Sequence, residues 1–169
     1  MHFAREESKE DGKNFLKLKD GDSVTGVFRG NLYEFDIHWV GNRSQECTGP
    51  ECDECMRSKK KFRFRLNFVT KENGVCVPKI FEQGWKVYRH LKAVHADYNL
   101  EKTIVKISRK GSGTQDTSYT IMPVPQHQVP DALEKQLQAV QLHDLKAVGG
   151  DKPGSGREPG MDDFGDVPF

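Results

Sequence analysis

The sequence predicts a mainly-β domain with one helix set between two hairpins, and three observations predict it. Apolar and polar residues alternate along 23–33 and again over 62–68, the period of a strand. From Trp85 to Tyr98 the apolar spacing changes to three and four, the period of an amphipathic helix. Two further alternating, β-rich runs then follow at 103–110 and 117–124.

Each element has its own justification. Residues 1–14 are polar, mixed in charge and without period, and read as a flexible arm. Phe15 to Lys19 and Ser23 to Tyr33 read as a long, curved first strand, with Gly26 and Gly30 placed where it would bulge or bend. Residues 38–60 form an insertion; from 41 on it lacks apolar period, so something other than a core must hold it. Phe62, Phe64, Leu66 and Phe68 alternate with Arg63, Arg65 and Asn67, giving one apolar and one cationic face. A turn at Glu72-Asn73-Gly74 leads into Val75, Val77 and Ile80 as a hairpin. Trp85, Tyr88, Leu91, Val94 and Tyr98 form the helical stripe, with Lys86, Arg89 and Lys92 off it. The last hairpin turns at Gly111-Ser112-Gly113, and Pro123 and Pro125 are expected to stop its second strand. Pro130, Leu133, Leu137 and Val140 mark a short helix within 126–145, and 146–160 is a linker rich in Gly and Pro. This order, over a core of residues 15–125, is that of an OB-type five-stranded barrel, although strand number alone also allows a sandwich.

Composition narrows the function. At 169 residues, 35% hydrophobic and 30% charged, the chain fits one domain of common size with unburied ends. No apolar run is long enough to span a bilayer, and the charged N-terminus lacks a signal's apolar stretch, so a cytoplasmic protein is expected. The net charge of +1 conceals three blocks: residues 1–56 carry −5, residues 57–110 carry +11 and residues 111–169 carry −5. A central cationic block between acidic ends points to a polyanion-binding surface with internal competitors.

Three of the four cysteines, Cys47, Cys52 and Cys55, stand at Cys-x4-Cys-x2-Cys, and the second pair has the spacing at which two thiolates hold one tetrahedral ion. A fourth ligand comes from His38, at the mouth of the insertion, or from Cys76; His38 is favoured because Cys76, between Val75 and Val77, suits a small strand hydrophobe. A redox Cys-x2-Cys would need to open a helix in a βαβ unit, and neither feature is evident. One structural Zn2+ per chain is the expected cofactor.

Arg57, Lys59, Lys60, Lys61, Arg63, Arg65 and Lys71 fall within fifteen residues that contain no acid. Tyr33, Phe35 and Trp39 are the aromatics expected to stack on bases, whereas Phe62, Phe64 and Phe68 share a face and belong inside. Arg29, Lys106, Arg109 and Lys110 complete the candidate nucleic-acid surface. No helix-turn-helix, homeodomain or classical finger helix is present, which disfavours reading of a duplex groove.

The chain ends Met161-Asp162-Asp163-Phe164-Gly165-Asp166-Val167-Pro168-Phe169. This ending resembles the acidic tip of bacterial single-stranded DNA-binding proteins. The order His38, Cys47, Cys52, Cys55 and the run Ile107 to Gly113 leading to Tyr119-Thr120-Ile121-Met122-Pro123 are similar to the zinc-containing single-stranded DNA-binding proteins of tailed phages. The resemblance implies an OB-fold core with a structural zinc and no enzymatic activity. It also implies a protein that coats single-stranded DNA during phage DNA replication, recombination and repair in the cytoplasm of an infected bacterium. Polymerase-, helicase-, primase- or nuclease-type partners would be recruited by the tip residues Asp162, Asp163, Phe164, Asp166, Val167, Pro168 and Phe169. Some relatives use a basic N-terminal arm for cooperative binding, whereas residues 1–14 here are mixed in charge. An RNA-binding OB-fold protein is the alternative, since stacking and phosphate contacts serve both polymers.

Overall fold

Eighteen residues of alternating pattern, Ser23–Val40, form β1, the strand on which the rest of the sheet is built. A computed structural model of the chain describes residues 13–113 and 115–147. The other strands are β2 (Arg43–Glu46), β3 (Lys61–Glu72), β4 (Val75–Gly84), β5 (Thr103–Lys110) and β6 (Ser118–Gln128). They form one antiparallel sheet in the order β4-β3-β1-β5-β6, with β2 paired to the far end of β1. Helix α1 (Trp85–Tyr98) lies between the β3–β4 and β5–β6 hairpins, and α2 (Asp131–Gln138) follows β6.

β1 serves two neighbours because it bends. Its first residues pair with β5, Ser23 opposite Ser108 and Gly26 opposite Val105, while Gly26 also faces Thr70 of β3. The β3 register then shifts between Arg29 and Tyr33, where Gly30 adopts φ +80°, a left-handed value costly for a side chain. Gly26 is required for a different reason. A Cβ there would stand 2.3 Å from the Val69 carbonyl oxygen and 2.7 Å from the Phe68 ring. Gly26→Ala is therefore expected to force β3 away and to cost about 2–3 kcal/mol, read as a lowered midpoint in a denaturant melt.

The Asn73-Gly74 turn closes β3 on β4 as the sequence indicates, with φ of 52° and 79° and Glu72 paired to Val75. One face of the sheet carries the main core: Phe28, Phe64, Phe68 and Phe81 meet Val105, Ile107 and Ile121, and Leu91 of α1 closes it. Phe28 and Phe68 lie 5.0 Å apart and Phe64 sits 5.6 Å from Tyr88, so aromatic contacts bind helix to sheet. The opposite face is also covered. Val27, Val69 and Leu137 form a second cluster with Leu133, Val140 and Leu142, so α2 and the chain after it lie across β1 and β3.

Three expectations change on this scaffold. Residues 41–60 lack apolar period and yet hold regular structure, because β2 folds back on β1 with His38 opposite Gln45, and Asp53–Met56 forms a 3-10 turn. β6 runs through Pro123 and Pro125 to Gln128; it pairs with β5 alone, and an edge strand loses no ladder bond at a proline turned outward. The polar face of β3 is not a solvent face either, since Arg63, Arg65 and Asn67 are only 6%, 4% and 3% exposed. Among the described residues no helix is long and apolar enough to cross a membrane.

Candidate metal centre and nucleic-acid face

The metal centre is assembled by the β1–β2 hairpin and the loop that follows. His38 is held by strand pairing near the end of β1, and the Cys47 N–H donates to the Asp36 carbonyl at 2.8 Å, which fixes the first cysteine beside it. The Cys52 N–H bonds Gly49 O and the Cys55 N–H bonds Cys52 O, so the second and third cysteines ride on one tight turn. The ligand atoms of His38, Cys47, Cys52 and Cys55 all lie within 4.8 Å of one another. Cys47 Sγ to Cys55 Sγ is 3.6 Å, and Cys55 Sγ to His38 Nε2 is 3.5 Å. Sulfurs about 2.3 Å from one ion at tetrahedral angles stand about 3.8 Å apart, and a sulfur and a nitrogen about 3.6 Å. The two distances at Cys55 thus match edges of such a tetrahedron.

The other side of the imidazole prepares it to bind. His38 is fully buried, and its Nδ1 lies 3.0 Å from Ser58 Oγ, which in turn donates to the Glu54 carbonyl. With the hydroxyl proton so directed, Nδ1–H donates to Ser58 and the Nε2 lone pair faces the sulfurs. Cys76 is elsewhere: its Sγ lies 3.7 Å from Gln136 Oε1 on α2, where it packs into the second cluster. The backbone N–H of Thr48, ahead of those of Glu54 and Cys55, draws the Cys52 thiol down to about 6. Burial, with Cys47 and Cys52 beside it, pushes Cys55 up to about 11. Three crowded thiols do not all ionise unaided, and a divalent cation among them reverses that balance. The four residues fit one structural metal ion.

The candidate nucleic-acid residues divide by exposure. Arg57, paired with Glu54 at 3.5 Å, Lys59 and Lys60 are exposed on the metal loop, and the Cys47 and Cys55 sulfurs hold Lys60 above the usual lysine range. Lys61 is half-buried, and Lys106 and Lys110 are exposed on β5. Arg109 is 9% exposed and donates to Leu18 O. Arg29 is held by Glu134 of α2 at 2.8 Å, an ion pair that keeps the Glu134 carboxyl below its ordinary range. Trp39 is half-buried, and its Nε1 has no hydrogen-bond partner among the described residues. Tyr33 and Phe35 stack at 5.3 Å, and the Arg65 guanidinium lies 4.3 Å from the Phe35 ring centre. The tip residues lie outside the described residues.

Sequence reasoning missed what covers this face. Asn67 donates to the His143 carbonyl and accepts from the His143 N–H, both at 3.0 Å. The Arg65 Nη1 donates to the Leu145 carbonyl at 3.0 Å, and the His143 Nε2 donates to the Pro78 carbonyl at 2.9 Å. Residues 142–145 therefore lie as a strap across Asn67 and Arg65. The apolar Leu142 and Leu145 were the available signal, but they sit beyond the helical stripe within the segment 126–145 read as helix, whereas the helix ends at Gln138.

No family model matches the chain, and neither the curated proteins nor the solved structures hold a match to it.

Proposed function

We propose that the protein binds single-stranded DNA without sequence preference, on an OB-type barrel stapled by one structural zinc ion, and coats it during phage replication, recombination and repair. It acts as a binding protein rather than an enzyme. The observation that carries this reading is a cross-strand register: on β1 and β3, Tyr33 stands opposite Arg65, Phe35 opposite Arg63 and Ile37 opposite Lys61. Aromatic faces for bases thus alternate with cations for phosphates, beside the exposed Arg57, Lys59 and Lys60. The strand order, with β1 shared by both hairpins and α1 between them, is compatible with an OB-type arrangement whose two edges are β4 and β6. An all-thiolate and imidazole donor set in a closed tetrahedron favours zinc.

Titration of a labelled oligo-dT against duplex and oligo-rU of equal length tests the reading. Expected are tight oligo-dT binding, far weaker duplex binding and a log–log salt slope of roughly −0.7 for each phosphate contacted. Equal affinity for duplex, or a flat salt response, overturns it. Preference for oligo-rU assigns the protein to RNA.

Because the Arg65 guanidinium holds Leu145 O where it would hold a phosphate oxygen, strand and strap exclude one another on this face. Two truncations are expected to behave differently. Removal of residues 161–169, with their three Asp, tightens single-strand binding mainly at low salt, where competition by the tip is least screened. Removal from residue 140 onward tightens it several-fold further and steepens the salt slope by about 0.7, because the uncovered Arg65 guanidinium gains a phosphate contact. Equal affinities of the two truncated chains would show that the strap does not compete.

A further inference from the structure

The helix stripe holds an anomaly. At 100° per residue, Leu91, Val87 and Val94 of α1 point to the core, and Trp85 falls on the opposite, outward side in line with Arg89 and Lys92. Trp85 is accordingly 41% exposed although it is among the largest apolar residues in the chain. It is nevertheless held firmly. Its ring stacks on Tyr88 at 5.4 Å and 22°, the Phe62 ring meets it edge-on at 5.3 Å, and the Tyr88 hydroxyl is tied to Glu34 at 2.6 Å. One face of the indole is supported, and the side chain is left part-exposed.

Glu34, tied to Tyr88, is an acid beside it on β1, but the charges of α1 itself near Trp85 are cationic. Lys86, Arg89 and Lys92 are exposed on α1, the first turn carries no acid, and the only acid of the helix is Asp97, near its far end. Helix stability does not explain Lys86, because a cation in the first turn opposes the helix dipole and costs a few tenths of a kcal/mol. Between and beyond them stand Ala93 and Ala96, both exposed and too small to obstruct a ligand.

We propose that the outward face of α1 is a second nucleic-acid contact: Trp85 stacks one base, and Arg89 and Lys92 bind the phosphates that follow. Trp85 to Lys92 spans about 10 Å along the helix axis, about three nucleotides at ~3.4 Å each. A part-exposed aromatic ring in line with cations matches the alternation of base and phosphate, whereas a duplex offers no free base face to the indole. The site needs no movement of the strap, unlike the Arg65 face, and among the described residues Trp85, Arg89 and Lys92 are exposed. The inference rests on the single-strand-binding function proposed above and adds a site to it.

Oligo-dT titrations of the full-length chain test it. Trp85→Ala is expected to weaken binding about 5- to 100-fold with an unchanged salt slope, and Trp85→Phe to keep most of the affinity. Arg89→Ser/Lys92→Ser, at exposed positions, is expected to reduce the salt slope by about 1.4 with thermal melting unaltered. Lys135→Ser, an exposed cation on α2, serves as the control and should change neither. If the wild-type chain binds oligo-dT and both the Trp85→Ala and the double variant match it in affinity and slope, this site is overturned while the parent function stands. If Trp85→Ala does not fold, the double variant decides. A wild-type chain that binds no single strand removes both readings.

Discussion

Cys52→Ser is expected to release the metal ion and unfold the loop from Cys47 to Lys60, leaving the β3–β4 hairpin in place. A structural zinc contributes on the order of 10 kcal/mol to small domains folded around it, and here little else holds the loop. The 3-10 turn at Asp53–Met56 buries none of its own residues, and four donor atoms within 4.8 Å are its principal tie to β1. Metal analysis should fall from one ion per chain to none, and a thermal melt should show an early transition that added chelator reproduces in the wild type. His38→Ala should behave likewise, whereas Cys76→Ser, next to Gln136, should keep the ion. Loss of metal from Cys76→Ser with retention by His38→Ala would exchange the two residues' roles.

The second large effect is expected at Glu82. Its carboxylate accepts from Arg65 Nε at 2.7 Å, and the two side chains are 11% and 4% exposed. Water cannot replace the carboxylate, so Glu82→Ala leaves a buried guanidinium with too little negative charge beside it, a change that typically costs 3–5 kcal/mol. The double variant Arg65→Met/Glu82→Leu should recover much of that loss, because it removes the charge along with its partner. Urea melts of the three chains test the asymmetry, and a single variant as stable as the wild type would show that the pair carries no such weight. The double variant should also bind oligo-dT more weakly, since it deletes the cation stacked on Phe35.

Much of this architecture could be read from local pattern. The Asn73-Gly74 turn, the period change at Trp85 and the Cys-x4-Cys-x2-Cys spacing each report a constraint between neighbours, and the structure has a hairpin, a helix and a ligand cluster at those places. What was not legible depends on distant partners. The alternation of Arg63, Arg65 and Asn67 with phenylalanines separates two faces but cannot tell whether the polar one is covered. The cover, His143 and Leu145, comes from nearly eighty residues away. The extension of β6 past Pro125 was hidden for a similar reason: a proline is excluded from an inner strand and tolerated at an edge, and only the assembled sheet says which strand is which. For the fourth ligand local pattern favours His38 over Cys76 without excluding the latter, because both lie within reach along the chain, and it is the fold that brings His38 to the sulfurs.

The double duty of β1 also sets the order in which the chain can fold. Ser23 pairs with Ser108, which is synthesised 85 residues later. At roughly 5–20 residues per second, one edge of β1 waits on the order of ten seconds for β5. Its other end need not wait: the turn back to β2 and all four ligands lie between His38 and Cys55, and an ion can lock them while the rest is still being made. An ion held there would act as a local anchor that fixes the far end of β1 before β3 and β5 arrive, and would keep a long, half-paired strand from meeting the wrong neighbour.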